Sequence, residues 1–358
     1  MAVHFHQLKI KQVKKETPDC VSISFHIPAD LSELFNFKEG QSITVRREVN
    51  GEEIRRSYSV CSAPHENELR VAVKKINGGV FSQFANDILK QGDMLDVLPP
   101  TGKFNAKLSP GETGNYLAIA AGSGITPVIS IIKHTLQNQP DSNFTLLYGN
   151  RDRNSIIFFD ELEGLKNKYM KRFNFINILS RETTDAEIFY GRIDDNKLGE
   201  LGKFLNYEQF DQVYLCGPEE LIFTAEAYLQ KHGVAKNKIH FELFNTPGQS
   251  KTILVENQDE ISTGPISNIT IKLDGRSFDF NLGYNSKSIL DAALQQGADL
   301  PFACKGGVCA SCRAKLQEGQ VTMDVNYALE EDEIQQGFIL TCQSHPRSEK
   351  IVVDFDVR

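Results

Sequence analysis

Four cysteines near the C-terminus constrain this chain more than any other feature: Cys304, Cys309, Cys312 and Cys342. The first three follow C-x4-C-x2-C spacing in Cys304-Lys305-Gly306-Gly307-Val308-Cys309-Ala310-Ser311-Cys312, and the fourth comes well downstream. Thiolates so spaced suit a [2Fe–2S] cluster, in which each iron takes two protein sulfurs. The glycines and small residues between them let the backbone close around the cluster and aim amides at its sulfurs, which tunes the potential. The alternative is a zinc ion held by four cysteines. Such sites usually pair two C-x2-C knuckles, and here the second knuckle is absent. Cys20, Cys61 and Cys216 are remote from this loop in sequence.

At 358 residues the chain has room for two or three domains. A net charge of −8 gives no basic face for a nucleic acid. No segment approaches the roughly 18 consecutive apolar residues of a membrane span. The N-terminus, Met1-Ala2-Val3-His4-Phe5-His6-Gln7, has neither the basic nor the apolar region of a signal peptide. The expectation is a cytoplasmic protein without membrane insertion or a nucleic-acid partner, its cysteines serving as ligands or free thiols.

The pattern changes along the chain. In residues 1–110, Val21, Ile23, Phe25 and Ile27 alternate with polar residues, as in a half-buried strand. Ile43/Val45 and Leu69/Val71/Val73 repeat this between turn signals such as Asn50-Gly51, which predicts an antiparallel β-barrel. One helix interrupts, with Phe81, Phe84, Ala85, Ile88 and Leu89 on one face. In residues 111–246, strands at 116–121, 144–149, 173–179, 212–216 and 239–244 alternate with helices at 127–138, 159–168 and 219–232, the rhythm of a parallel α/β sheet. Residues 247–266 read as a linker. Residues 267–358 restart with a hairpin around Asp274-Gly275 and a short helix at 288–296, as expected for a small α+β domain around the cysteine loop.

Four further stretches carry chemistry. Arg56-Ser57-Tyr58-Ser59 offers a guanidinium for a phosphate and an aromatic ring for stacking on a planar ring system. Gly78-Gly79-Val80-Phe81-Ser82 opens a helix, where exposed amides can take a pyrophosphate. Ala121-Gly122-Ser123-Gly124-Ile125-Thr126-Pro127 turns a strand into a helix, so a nucleotide's phosphates can approach the backbone. Pro127 suits the first helical position. Leu215-Cys216-Gly217-Pro218 ends a later strand, where Cys216 reads either as a small core residue or as a site thiol.

Taken together these stretches resemble the ferredoxin–NADP reductase family, extended by a plant-type ferredoxin domain of β-grasp fold. The resemblance implies a flavin in the barrel, FAD with FMN the alternative, with Arg56 on phosphate, Tyr58 on the isoalloxazine face and Ser59 near its reactive nitrogen. Ser57 lies within the same stretch. Gly78, Gly79, Val80 and Ser82 would hold the pyrophosphate, and the backbone of Val73 and Lys74 would line the ring. The loop of Gly122, Gly124, Thr126 and Pro127 matches the family's nucleotide turn. Cys216, Gly217 and Pro218 match its C-G-P, whose cysteine lies beside the nicotinamide. Phe241-Glu242-Leu243-Phe244 resembles the acid-x-aromatic end of the reductase module. That likeness assigns proton traffic to Glu242 and flavin cover to Phe244, which stands where a Tyr is more familiar. Ser180-Arg181-Glu182 resembles a 2′-phosphate-binding stretch. With Arg151 and Arg192 it points to NADPH, NADH being the alternative, because a 2′-phosphate calls for bidentate cationic donors.

The order of modules, reductase first and ferredoxin last, resembles the reductase components of multicomponent oxygenases, and over the whole chain those serving phenylacetyl-CoA oxygenases (epoxidases). This implies electrons passing from NADPH through FAD and the [2Fe–2S] cluster to a di-iron oxygenase in phenylacetate degradation. Other acceptors with the same architecture are another hydroxylase, a desaturase or a P450. A redox-sensing interaction module is the reading from a different class. The acidic run Glu330-Glu331-Asp332-Glu333 is either the favourable first turn of a helix or a docking patch for a basic partner.

Overall fold

A computed structural model of the chain describes residues 4–49, 51–106, 113–244 and 265–357. The boundary expected near residue 110, and all but the last residues of the linker expected at 247–266, lie outside the described residues.

The first unit is an antiparallel sheet of β1 (His6–Thr17), β2 (Cys20–His26), β3 (Ser42–Val49), β4 (Glu52–Ser59), β5 (Leu69–Lys74) and β6 (Met94–Val97), with α1 (Val80–Asp87) after β5. The strands run in the order β4-β3-β6-β1-β2-β5. A bridge between Val60 and Val71 joins the two edge strands and closes the barrel. Its interior holds Leu8, Ile10, Ile23, Val45, Val71 and Val97 beside Phe81 and Phe84 of α1. Alternation along β2 predicts one solvated face, yet Ser22 and Ser24 are buried as well. The second unit covers that face, for Cys20, Cys61 and Ala72 share a core with Ile125, Val128 and Ile129.

The second unit is a parallel sheet of β7 (Asn115–Ala121), β8 (Asn143–Asn150), β9 (Phe173–Leu179), β10 (Gln212–Cys216) and β11 (Ile239–Glu242), in the order β11-β10-β7-β8-β9. The helices are α2 (Ile125–Asn138), α3 (Phe159–Lys168), α4 (Asp195–Leu201) and α5 (Glu219–Lys231). α2 begins two residues before the predicted start, so Pro127 sits inside its first turn, where a missing N–H still costs no helical bond. Strand order reverses between β7 and β10, which opens a crevice at their carboxyl ends.

The third unit combines β12 (Ile266–Leu273), β13 (Arg276–Gly283), α6 (Ile289–Gln295), β14 (Arg313–Glu318), β15 (Val321–Met323), α7 (Glu331–Gln335), β16 (Phe338–Leu340), β17 (Ser344–Pro346) and β18 (Lys350–Asp354). Its main sheet runs β13-β12-β18-β14-β16, with β15 and β17 paired apart. Ile289 and Leu290 of α6 pack on Ile269, Ile271 and Val353 of the sheet. The cysteine loop bridges α6 and β14.

Among the described residues no helix is long and apolar enough to cross a membrane, and all seven cysteines are free of disulfides.

Candidate active site

The crevice between β7 and β10 is shaped by two glycines with different duties. Gly122 has φ +54, a conformation unfavourable to other residues. Its carbonyl accepts the Tyr148 hydroxyl at 2.8 Å. A Cβ on Gly124 would lie 2.0 Å from the Cys216 carbonyl oxygen, so only glycine lets α2 approach the end of β10 this closely. The Thr126 hydroxyl donates to the Ser123 carbonyl at 3.0 Å and holds the turn together.

Beyond these strand ends lies a cleft of about 780 Å³. Gly122, Arg151, Ser180, Arg181, Arg192, Gly217, Pro218 and Phe244 line it, as does Lys74 from the barrel. Arg181 is tied to Arg151 by a backbone bond, its N–H donating to the Arg151 carbonyl at 2.8 Å. Burial, followed by the neighbouring Arg151, lowers the Lys74 ammonium below its ordinary range. Gly124, Thr126, Pro127 and Cys216 do not line the cleft; all four are buried behind it. Burial, reinforced by Glu242, keeps the Cys216 thiol protonated. Asn150, Ser155, Asp194, Glu220 and Thr224 also line the cleft. Sequence reasoning passed over them, although Asn150 ends β8 and ligands of open α/β sheets bind beyond such carboxyl ends.

On the barrel, β4 presents the Arg-Ser-Tyr-Ser stretch with alternating direction. Arg56 is exposed, and one of its guanidinium nitrogens donates to the Arg55 carbonyl at 2.7 Å. The Tyr58 ring is half-buried, 5.6 Å from Phe81. Ser57 pairs in register with Thr44 of β3, and their hydroxyl oxygens are 3.0 Å apart. Gly78 has φ +75, and a Cβ there would meet nothing. The Ser82 hydroxyl donates to the Gly79 carbonyl at 3.0 Å and accepts from the Ile76 amide at 3.1 Å, so it braces the glycine turn. Val80 is exposed at the start of α1. The Val73 side chain faces the barrel core, and its carbonyl accepts from Asn86 at 3.0 Å.

The domains meet at Glu242. The Ser59 hydroxyl donates to the Glu242 carboxylate at 2.9 Å, joining the barrel to the end of β11. Burial pushes the Glu242 carboxyl up to about 7, against the hydrogen bond from Ser59, and the nearby Cys309 adds to the rise. The cysteine loop therefore enters this junction, and Val308 packs against the nucleotide-domain core.

Within the loop the sulfurs pair, Cys304 with Cys309 and Cys312 with Cys342. The Gly306 amide donates to the Cys304 sulfur at 3.3 Å, the Cys304 amide to Cys309 at 3.5 Å, and Gln343 to Cys342 at 3.5 Å. Two thiol pairs ringed by donors fit a two-iron cluster. A half-buried aromatic beside a glycine-led helix start fits a flavin dinucleotide.

Three family models match along the chain: an oxidoreductase FAD-binding domain over residues 7–106, an oxidoreductase NAD-binding domain over 118–227 and a 2Fe-2S iron-sulfur cluster binding domain over 271–347. The chain is 44% identical to one component of the 1,2-phenylacetyl-CoA epoxidase of Escherichia coli (strain K12), across 99% of this chain and 98% of that one. It is 31% identical to the 3-ketosteroid-9-alpha-monooxygenase ferredoxin reductase component of Rhodococcus rhodochrous, across 97% and 96%. The structure of phthalate dioxygenase reductase superposes with a TM-score of 0.58 at 26% identity, covering 98% of each chain. The chain belongs to the flavin and iron–sulfur reductases of the phthalate dioxygenase reductase type, reductase components that join FAD-binding, NAD-binding and [2Fe–2S] domains in one polypeptide.

Proposed function

We propose that this reductase oxidises NADPH and delivers the electrons to the oxygenase that acts on phenylacetyl-CoA, in the cytoplasm. The observation that carries the electron path is the junction at Glu242, where Ser59 of the barrel, the end of the nucleotide sheet and Cys309 come together. The choice of partner rests on the likeness to the epoxidase component along the whole chain. Bound FAD and a [2Fe–2S] cluster supply the exchange between a two-electron hydride and single electrons.

The protein's own share is binding, orientation and proton handling. Arg56, Tyr58 and Ser59 hold the flavin, with Gly78, Gly79, Val80 and Ser82 at its pyrophosphate and the backbone of Val73 and Lys74 along its ring. Ser57 keeps the strand in register. Arg151, Ser180, Arg181 and Arg192, gathered on one cleft, take the nucleotide's 2′-phosphate as cationic and hydroxyl donors. Gly122, Gly124, Thr126 and Pro127 shape the turn over the pyrophosphate. Cys216, Gly217, Pro218 and Phe244 bound the nicotinamide end. Glu242, poised near neutrality, exchanges a proton at its carboxylate through Ser59. Cys304, Cys309, Cys312 and Cys342 hold the cluster. The three domains divide at residues 1–110, 111–246 and 267–358, with a linker at 247–266.

The test mixes the purified protein with the oxygenase component, phenylacetyl-CoA and either NADPH or NADH. Product formation coupled to nucleotide oxidation, with NADPH effective at the lower concentration, supports the proposal. Nucleotide oxidation that reduces ferricyanide but yields no product would rule out this partner, and equal or better use of NADH would rule out the NADPH preference.

A further inference from the structure

Thr44 lies on β3 of the flavin domain and is 1% exposed. Its hydroxyl oxygen is 3.0 Å from that of Ser57 on the flavin-binding strand. On its other side it is 2.9 Å from the Ser311 hydroxyl oxygen, across the domain interface in the cysteine loop. Ser311 in turn stands in the cysteine loop between Cys309 and Cys312, next to the Cys309 sulfur.

A hydroxyl has one proton to give. If Ser311 gives its own to the Cys309 sulfur, its bond with Thr44 must be one that Thr44 donates. Thr44 then accepts from Ser57. All three bonds run one way, toward the sulfur, and in a buried site each donor polarises the next. Hydrogen bonds to cluster sulfurs favour the reduced state, which carries one more negative charge.

We propose that Thr44 is a positioning residue of the flavin domain that raises the reduction potential of the cluster in the ferredoxin domain, acting through Ser311. This rests on the reading of the four cysteines as [2Fe–2S] ligands. The cluster is thereby made a better electron acceptor while it is docked against the flavin strand than it would be alone.

The test is a redox titration of the full-length holoprotein, in which each cluster takes one electron from the titrant and the reduced form is counted by EPR. At the wild-type midpoint, Thr44→Val is expected to lower the ratio of reduced to oxidised cluster roughly threefold, the effect of losing one modest hydrogen bond. Thr44→Ser keeps the hydroxyl and is expected to keep the wild-type ratio. Ser311→Ala is expected to shift the same way, and the double variant Thr44→Val/Ser311→Ala to go no lower than Ser311→Ala alone. An unchanged ratio in Thr44→Val, or additive shifts in the double variant, overturns the proposal. Should Thr44→Val fail to load a cluster, Ser57→Ala decides: a smaller fall supports the relay, and no fall overturns it. A wild-type protein without the reduced-cluster signal would instead remove the cluster assignment, and this inference with it.

Discussion

Glu242 is a carboxyl placed where ionisation is costly. Burial lifts it to about 7 even though Ser59 donates to it. Because the folded value lies above the ordinary 4.5, the folded chain keeps this proton while the unfolded chain loses it. Its contribution to stability is therefore full below about 4.5 and is lost as pH rises toward 7. In turnover the same group is expected to give an inflection near neutrality. Glu242→Gln should remove that inflection and slow nucleotide oxidation with ferricyanide by roughly tenfold or more. An inflection that survives in the variant belongs to another group. Arg181 tests a different part of the site. As a cleft-lining guanidinium assigned to a 2′-phosphate, its loss in Arg181→Ala is expected to raise KM for NADPH roughly tenfold while sparing NADH. Equal effects on both nucleotides would refute the assignment.

At the scale of elements, the joint between α2 and β10 is the tightest spot in the nucleotide domain. Gly124→Ala would drive a methyl into the Cys216 carbonyl, 2.0 Å from the Cβ position. Neither backbone can yield freely, so a loss of about 1–3 kcal/mol is expected, read as a lower thermal midpoint together with weaker nucleotide binding. An unaffected midpoint would show that the two elements can separate. Burial likewise decides which elements are legible in the sequence. Strands 173–179 and 212–216 and the helix at 159–168 stand where periodicity places them, because each buries an apolar stripe. α4 went unseen because it is short and polar, burying only Leu198 and Leu201 among its apolar residues. Its start was marked, since the Asp194 side chain accepts from the Lys197 amide at 2.9 Å as an N-cap does. The acidic run at 330–333 proves to be the first turn of α7, where Lys103 of the barrel lies 3.2 Å from Asp332 and Arg313 lies 3.1 Å from Glu333. Those partners are distant in sequence, so pattern alone could not separate an internal clamp from a docking patch. The contact between Thr44 and Ser311 was hidden for the same reason: nothing local distinguishes a strand threonine that faces another domain.

For the whole molecule, the question is what keeps the ferredoxin domain against the barrel. Arg55, next to the flavin-assigned Arg56, points the other way along β4 and is buried. Its guanidinium donates to the Leu300 carbonyl at 2.9 Å and to Asp299 at 3.2 Å, and lies 4.1 Å from the Phe302 ring centroid. Asp299 is largely exposed, so water screens that ion pair and little of the hold comes from it. The buried carbonyl bond and the stacked ring matter more. Three contacts from one planar group converge on residues 299–302, immediately before Cys304, and so fix the approach of the cysteine loop to Ser59 and Glu242. Arg55→Ala leaves the Leu300 carbonyl without this donor and the Phe302 face uncovered. Arg55→Lys keeps the charge but loses the fork and the flat stacking surface. Both are expected to leave flavin bleaching by NADPH at its wild-type rate and to slow appearance of the reduced-cluster signal, by roughly tenfold for Arg55→Ala and by less for Arg55→Lys. Rapid-mixing absorbance followed by freeze-quench EPR separates the two events. If cluster reduction keeps pace with flavin bleaching in both variants, the interface at Arg55 does not govern internal electron transfer, and the apolar packing of Val308 against the nucleotide domain is the contact to test next.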